Sequence, residues 1–252
     1  MVITGLSVTP VKGTRLRPVE SVRLGAGGAK GDRRFFVIDE RGRMVNGKQL
    51  EELCQIVAWC SAQELSLELP SGEVVCAPVR LGEPLPVRFY SRMREARPVE
   101  GPFSTTLSTA CGQPLRLMEA VGSAVDRGAG GGVTLISRAS LARLARAAGE
   151  DSVDARRFRM LVEIDGVEAH EEDGWVGRSV TVGAARVRFA GHVGRCLVTS
   201  RNPDSGAVDL PTLDVLREYR GGTAFTAPLP FGVYGAVSTP GAVRVGDPVA
   251  LV

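Results

Sequence analysis

The chain has 252 residues, of which 44% are hydrophobic and 23% charged, with a formal net charge of +3 at pH 7. This length and composition fit one large globular domain or two ordinary ones, with a core that needs no disulfides. The small net charge excludes a polyanion-binding tail, so we expect no nucleic-acid partner, but it permits a local basic pocket.

The cysteines and the chain start indicate the compartment. The five cysteines are an odd number and contain no CxxC pair, which disfavours a disulfide framework and a zinc cluster. The first residues, "MVITGLSVTPVKG", lack the basic start and apolar run of a signal peptide. No apolar stretch reaches the roughly 18 residues of a membrane span. We therefore predict a cytoplasmic protein with no membrane partner.

The first hundred residues are typical of short strands broken by Gly and Pro. "VITGLSVTPV" alternates and stops at Pro10, residues 34–46 form a predicted hairpin, and "ELSLELPSGEVVCAPV" forms another that turns at residues 70–72. "EPLPVRFYSRMREARPVE" is predicted to be one further strand with a charged exit. Strands this short and evenly spaced suggest a barrel.

The middle of the chain contains the helical patterns. "FSTTLSTACG" predicts a short helix with Ser104 or Thr105 as N-cap. A glycine-rich loop, "VGSAVDRGAGGG", follows. "SRASLARLARAAG" is the strongest helix in the chain, because Ser137 can cap it, its leucines share one face, and Gly149 can end it.

Strands return after this helix. They are predicted in "MLVEIDG", in "RSVTVGAARVRFAGH", in "CLVTS" and on both sides of Pro240, with a short helix from Thr212 to Gly221. The resulting fold class is mixed α+β, mostly β. We predict two β-rich domains, residues 1–121 and residues 122–252.

An arginine cluster, "DARRFRM", is the first candidate site. If the segment is extended, Arg157 and Arg159 point to the same face and can clamp an anion through their planar guanidinium groups. Periodicity alone favours a solvated charged edge over this anion clamp.

Cys196 and the segment "GAGGGVT" (residues 128–134) are further candidates. Arg195 precedes Cys196, and neighbouring cations lower the pKa of a thiol; an inert core thiol fits the residue as well. The glycine backbone can form an anion-binding nest or a flexible loop, and it matches no nucleotide-binding fingerprint. His170, expected at the surface, and His192 are too isolated to predict a metal site.

In order and spacing, these stretches resemble the MOSC family, whose members are similar to the C-terminal domain of molybdenum-cofactor sulfurase. The resemblance extends from "TPVKG" to "VRVGDPVALV" and includes "GDRRFFVIDERGRMV", "VDARRFRMLVEIDGVEAHEEDGW", "GRCLVTSRNPDSG" and "FGVYGAV". It points to the subgroup with an N-terminal β-barrel domain, which includes the mitochondrial amidoxime-reducing component and bacterial relatives.

The resemblance implies a MOSC N-terminal β-barrel domain followed by a MOSC β-barrel domain with a few short helices. It implies a molybdenum cofactor (Mo-molybdopterin) whose metal is bound by Cys196, which is also the expected catalytic residue. The expected cofactor-binding residues are basic or glycine: Lys12, Arg34, Arg157, Arg159, Arg195, Gly130 and Gly131. The chain departs from the family pattern at Leu161, Val193 and Asn202, and Gly130 and Gly131 align with a polar Thr/Ser pair of some relatives.

The function implied is that of an oxidoreductase that reduces a small N-hydroxylated or N-oxide substrate. The chain has no flavin, haem or iron–sulfur motif, so the electrons would come from a separate reductase. Two alternatives stay open. The fold can serve a molybdenum-free enzyme in which Cys196 acts in sulfur transfer, without pyridoxal phosphate, or in a biosynthetic lyase or transferase step. It can also serve a carrier that delivers the cofactor.

Overall fold

The structure is a computed structural model that describes residues 1–61, 63–121, 130–221 and 225–252. It is mixed α+β and mostly β, with curled sheets, which confirms the predicted fold class. The strands are β1 Val2–Val8, β2 Arg17–Pro18, β3 Ser21–Gly25, β4 Gly28–Ala29, β5 Phe35–Ile38, β6 Met44–Val45, β7 Val57–Cys60, β8 Glu64–Glu68, β9 Val74–Pro78, β10 Arg80–Leu81, β11 Leu85–Phe89, β12 Arg92–Glu100, β13 Arg116–Ala120, β14 Val133–Ser137, β15 Val162–Asp165, β16 Ser179–Val182, β17 Ala185–Gly194, β18 Pro230–Thr239, β19 Gly241–Arg244 and β20 Val249–Leu251.

The largest sheet joins the two ends of the chain. Its eight strands run in the order β2-β1-β15-β14-β18-β17-β16-β20. Strand β1 is antiparallel to β15, with Val2 opposite Asp165 and Leu6 opposite Val162, and β3 is antiparallel to β19. The first 29 residues therefore complete sheets whose other strands follow residue 130. The domain boundary at residue 121 stays a prediction.

Two smaller sheets lie between these ends. One has the order β10-β12-β13-β5-β6, with β11 paired to β12, and the other has the order β7-β8-β9. The strands from β5 to β13 and the first helix enclose their own hydrophobic core, which includes Val37, Leu65, Phe103 and Leu117. This packing fixes the strand ends that reach the candidate site.

One predicted strand is two. Residues 83–100 form the hairpin of β11 and β12, in which Phe89 is opposite Arg92. Tyr90 lies in the turn with a φ of 56°, in the left-handed region. The turn, Tyr90-Ser91, contains no Gly, Pro, Asn or Asp, so apart from Ser91 its composition does not signal a reversal.

The described residues form three α-helices: α1 Phe103–Ala110, α2 Arg138–Ala148 and α3 Thr212–Arg220. The caps of α2 are confirmed, because the Ser140 backbone N–H donates to Ser137 Oγ at 3.1 Å and Gly149 has a φ of 72°. No helix in the described part of the chain is both long enough and apolar enough to cross a bilayer.

The predicted N-caps, Ser104 or Thr105 for α1 and Thr212 for α3, are wrong, whereas α3 ends at Gly221 as predicted. Pro102 and Pro211 precede these helices, and neither makes a side-chain cap. Ser104 Oγ accepts from the Leu117 backbone N–H at 3.1 Å, and Thr212 Oγ1 donates to the Thr199 carbonyl at 2.8 Å. These hydroxyl groups connect the helices to neighbouring segments instead of capping them.

Two short 3-10 helices replace extended backbone, which the sequence predicted for the segment after Cys196 and left as a condition for the arginine cluster. They are Ala155–Phe158, within the arginine cluster, and Leu197–Ser200, directly after Cys196. Asp154 caps the first, because its side chain accepts from the Arg156 backbone N–H at 2.8 Å. The residues that follow Cys196 are therefore helical, and Arg157 and Arg159 do not share the face of a strand.

Candidate functional site

A cavity of about 460 Å³ lies where the early strands meet the segments around the arginine cluster and Cys196. One group of its lining residues comes from residues 12–90 and the other from residues 131–203. The lining includes six of the eight predicted site residues, namely Lys12, Gly131, Arg157, Arg159, Arg195 and Cys196. The cavity thus brings most of the predicted site together from distant parts of the chain.

The cavity lining is strongly basic. Nine of its residues are Lys or Arg, and one, Asp32, is acidic. The basic residues are Lys12, Arg15, Arg33, Lys48, Arg156, Arg157, Arg159, Arg195 and Arg201. Cations concentrated in a cleft raise the local concentration of anions, so the expected guest carries negative charge.

Cys196 is exposed at this cavity. Its backbone is extended, and its carbonyl accepts from both the backbone N–H and Oγ1 of Thr199, each at 3.0 Å. The start of the Leu197–Ser200 helix thus fixes the cysteine backbone while the residue stays accessible. An inert core thiol, the other interpretation that the sequence allowed, does not fit this exposure.

Two arginines of the lining interlock. Arg33 Nη2 donates to the Arg159 carbonyl at 2.6 Å, and Arg159 Nη2 donates to the Thr14 carbonyl at 2.7 Å. Both arginines have a left-handed backbone, with φ of 49° and 54°. Arg33 also forms an ion pair with Asp32 at 2.6 Å. The early strands therefore hold the turn that carries Arg159.

The other two arginines of the cluster form bidentate pairs with the loop after Cys196. Arg156 contacts Asp204 at 2.8 and 2.9 Å, and Arg157 contacts Asp209 at 2.6 and 2.9 Å. These hydrogen bonds hold the pKa of each aspartate below its ordinary value. The pairs bind the loop to the arginine segment, and Arg156 also forms an ion pair with Asp154 at 2.6 Å.

Arg195 directs its guanidinium toward the protein backbone. Nη1 donates to the Phe158 carbonyl at 2.9 Å, and Nε donates to the Phe231 carbonyl at 2.8 Å. The guanidinium also lies over the Phe158 ring, 5.2 Å from its centroid. Arg195, which directly precedes Cys196, is thus hydrogen-bonded to Phe158, which directly precedes Arg159.

Arg34 is placed elsewhere. It forms an ion pair with Glu119 and lies 4.8 Å from the centroid of the Phe35 ring, and among the described residues it does not line the cavity. Its neighbour Arg33 lines the cavity instead. Arg33 and Arg34 both precede the aromatic pair Phe35-Phe36, and the alternation of side chains along a strand does not show which arginine faces the cavity.

The glycine segment packs closely against β4. A Cβ on Gly132 would lie 2.7 Å from the Gly28 Cα and N atoms, so the two backbones touch. Gly131 and Gly132 line the cavity, whereas Gly130, although described, is not among its lining residues. Gly128 and Ala129 of the segment lie outside the described residues. Close backbone packing is therefore a definite role of this segment.

Cys54 and Tyr90 also line the cavity, and the sequence did not mark either one. Cys54 is half-buried, its Sγ lies 3.9 Å from the Asn202 carbonyl, and burial raises the pKa of its thiol. Tyr90 is 57% exposed. No motif surrounds either residue, so only the tertiary structure associates them with the site.

The histidines lie outside this lining. His192 is buried, with Nδ1 3.0 Å from Thr226 Oγ1. His170, expected at the surface, is partly buried, and its ring packs near Tyr219 and Phe231 with centroids 5.7 and 5.6 Å away. Burial, followed by repulsion from Arg220 and Arg143, lowers its pKa to about 4. The expectation of a surface histidine is therefore wrong.

The protein donors for a metal are few. Within the ranges that the structure describes, no group of three or more His, Cys, Asp or Glu side chains is arranged to hold a metal ion. A metal bound by Cys196 would therefore need further ligands from a non-protein group. The fold and this cavity define a β-rich protein with an exposed thiol, Cys196, in a basic cavity.

Comparison with known families identifies the class. The family model described as "MOSC domain" matches residues 125–250, and that described as "MOSC N-terminal beta barrel domain" matches residues 1–97. The chain therefore belongs to the MOSC family, as the resemblance of its motifs predicted.

The chain is similar over nearly its whole length to proteins named mitochondrial amidoxime-reducing component 1. The Xenopus laevis protein is 29% identical, with 98% of this chain and 81% of the relative covered. The human protein is 26% identical, with 99% and 82% covered. The crystal structure of the YUAD protein from Bacillus subtilis aligns with 99% of this chain and 94% of its own, at 12% identity and a TM-score of 0.49.

Proposed function

We propose that the protein is a molybdenum-cofactor-dependent oxidoreductase that reduces small N-hydroxylated or N-oxide substrates with electrons from a separate reductase. The observation that carries this proposal is the exposed Cys196 in a cavity lined by nine basic residues and one acidic residue. The similarity to the amidoxime-reducing components supports the substrate class. A cytoplasmic location stays a prediction.

The residues of the cavity fit the cofactor. Its phosphate is an anion, and planar guanidinium groups pair well with phosphate. Its metal needs a soft protein ligand, and Cys196 presents an exposed thiol that belongs to no group of three or more ligating side chains in the described structure. A cofactor that already chelates its metal matches this donor set.

The roles of the residues follow from their contacts. Cys196 Sγ would hold the metal as a thiolate, so its thiol proton would have to be given up on binding. Lys12, Arg33 and Arg159 would hold the anionic part of the cofactor. Arg157 and Arg195 orient the loop and the turn on either side of Cys196 through Asp209 and Phe158. Gly131 and Gly132 allow close approach of the backbone.

The reaction breaks an N–O bond. For an amidoxime, two electrons and two protons enter, and an amidine and water leave. The bound cofactor supplies the two-electron redox chemistry at its metal. The chain itself binds the substrate beside Cys196 and keeps an anionic cofactor in place. The separate reductase supplies the electrons, because the sequence has no second redox motif.

The test is metal and pterin analysis of protein produced in a host that makes the cofactor. We expect about one molybdenum and one pterin per chain in the wild type. Cys196→Ser should lose at least nine-tenths of the molybdenum, whereas the matched control Cys54→Ser, at the other thiol of the cavity, should keep it. Loaded protein should reduce benzamidoxime with reduced methyl viologen as electron donor.

Two results would overturn the proposal. One is activity that persists in protein free of molybdenum and pterin. The other is Cys196→Ser protein that keeps its metal. Protein without pterin in which Cys196 becomes persulfidated would favour the molybdenum-free alternative, and loaded protein without turnover would favour a carrier of the cofactor.

A further inference from the structure

The turn at Tyr90 places an aromatic side chain at the cavity. Tyr90 connects β11 to β12, lines the cavity and is 57% exposed. Tyrosine is intermediate in burial among residue types and is enriched at binding interfaces. An exposed tyrosine at a cavity that also contains Cys196 is therefore available to a guest.

The backbone at Tyr90 is strained. Five non-glycine residues in the described ranges have a left-handed φ, and three of them, Arg33, Tyr90 and Arg159, line this cavity. A bulky residue in this region costs free energy, and such strain collects at functional sites. A glycine or asparagine would relieve it at this turn, yet the turn carries a tyrosine.

Two neighbours orient the Tyr90 ring. The Phe89 ring meets it edge-to-face, with centroids 5.0 Å apart and an interplanar angle of 86°. Lys12 Nζ lies over the ring at 5.9 Å from its centroid. Phe89 is itself buried and packs edge-to-face on Phe36 at 5.2 Å. The hydrophobic core beneath the hairpin thus supports the ring, and much of its surface stays open.

We infer that Tyr90 is a specificity-determining residue that stacks on a planar, conjugated substituent of the substrate. The inference rests on the proposed function and names the part of the substrate that this site selects. Offset stacking between flat π-systems is favourable beyond the area buried. The basic lining disfavours a cationic substituent, so the selected group is planar and either neutral or anionic.

The test compares two substrates with the same reactive group, benzamidoxime and cyclohexanecarboxamidoxime, in the loaded enzyme with reduced methyl viologen. Tyr90→Asn removes the ring and tolerates the left-handed backbone, whereas Tyr90→Phe keeps the ring. For benzamidoxime, Tyr90→Asn should raise KM roughly threefold to tenfold with kcat unchanged. For the cyclohexane substrate KM should change less than twofold. Tyr90→Phe, and Met93→Ala on the same hairpin, should match the wild type for both.

A second readout needs no turnover. Ligand-observed NMR titration of the loaded protein with benzamide and with cyclohexanecarboxamide measures the preference for a planar ring directly. The wild type should bind benzamide several-fold more tightly, and Tyr90→Asn should bind the two alike. Equal binding by the wild type, or equal KM changes for both substrates in Tyr90→Asn, would overturn the role of Tyr90. Absence of reduction by the loaded wild type would instead overturn the proposed function, while the binding preference still tests Tyr90.

Discussion

The guanidinium of Arg33 donates a hydrogen bond to the backbone carbonyl of Arg159 at 2.6 Å. The two residues are 126 positions apart, both have a left-handed backbone and both line the cavity. Arg159 in turn reaches back to the Thr14 carbonyl at 2.7 Å. The two segments therefore hold each other: the carbonyl of Arg159 fixes the Arg33 guanidinium, and the carbonyl of Thr14 fixes the Arg159 guanidinium.

This relationship predicts unequal effects at two adjacent arginines. Arg33→Ala removes a cation from the cavity and a charge-assisted hydrogen bond from the Arg159 turn. Such hydrogen bonds contribute about 1.5–3 kcal/mol, so we expect retention of the cofactor to fall roughly tenfold or more. The measurement is the molybdenum content after extended dialysis at fixed protein concentration.

Arg34→Ala is the matched control. Its guanidinium pairs with Glu119 and does not line the cavity among the described residues, so the variant should keep its molybdenum. A loss of metal in Arg34→Ala with full retention in Arg33→Ala would show that Arg34 holds the cofactor, as the resemblance to the family implied, and that Arg33 does not.

The contact between Gly132 and Gly28 predicts a cost in stability. Gly132→Ala places a Cβ 2.7 Å from backbone atoms of Gly28, which cannot move as a side-chain end can. Overpacking of this kind costs about 1–3 kcal/mol of unfolding free energy. Urea unfolding followed by circular dichroism measures the change.

Gly25→Ala is the control for this variant. Gly25 pairs with Gly28 in the hairpin of β3 and β4, and a Cβ on it would meet nothing within 4 Å. Its stability should equal or slightly exceed that of the wild type, because alanine restricts the unfolded chain more than glycine does. Equal destabilisation by both variants would contradict the packing argument.

The position of His170 predicts a pH-dependent loss of stability. Its ordinary pKa of 6.5 falls to about 4 in the folded protein, chiefly through burial. Between these values the unfolded chain binds a proton that the folded protein does not, so stability falls as pH decreases from 6.5 to 4. The slope has an upper limit of about 1.4 kcal/mol per pH unit, and partial exposure of the residue reduces it.

His170→Asn tests this prediction, because asparagine tolerates the left-handed backbone at that position, where φ is 65°. The variant should be less stable than the wild type at pH 7, since it loses the ring contacts with Tyr219 and Phe231. Its unfolding free energy should also depend less on pH between 6.5 and 4. Parallel urea-unfolding results at pH 7, 6 and 5 would exclude His170 as the source of the dependence.

The sequence predicted the elements that local chemistry determines. Helix α2 has a serine cap, a periodic apolar face and a terminal glycine, and all three are found where expected. The turn at Tyr90 and the 3-10 helix after Cys196 were missed, because neither carries the glycine, proline or asparagine that marks a change of direction. Asp154 was a signal of the helix in the arginine cluster, since aspartate is a preferred N-cap.

The candidate site was predicted in part for a different reason. Cys196, Lys12 and Arg159 were named from motifs, and the fold places all three at one cavity. Arg33 and Tyr90 were not named, because their backbone conformations and the pairing of β1 with β15 depend on contacts between distant segments. Periodicity of 2 or 3.6 residues contains no information about such contacts.

Residues 12–90 and residues 131–203 contribute different kinds of side chain to the cavity. Cys196 and most of the arginines of the lining lie on segments after residue 150. The hairpin of β11 and β12, which turns at Tyr90, belongs to a separate sheet with its own core. Loop exchange in this hairpin can therefore alter which molecules the cavity accepts while Cys196, the proposed metal ligand, stays in place. In a scaffold of this kind, replacement of one short hairpin is enough to change ligand selectivity without altering the segment that carries the thiol.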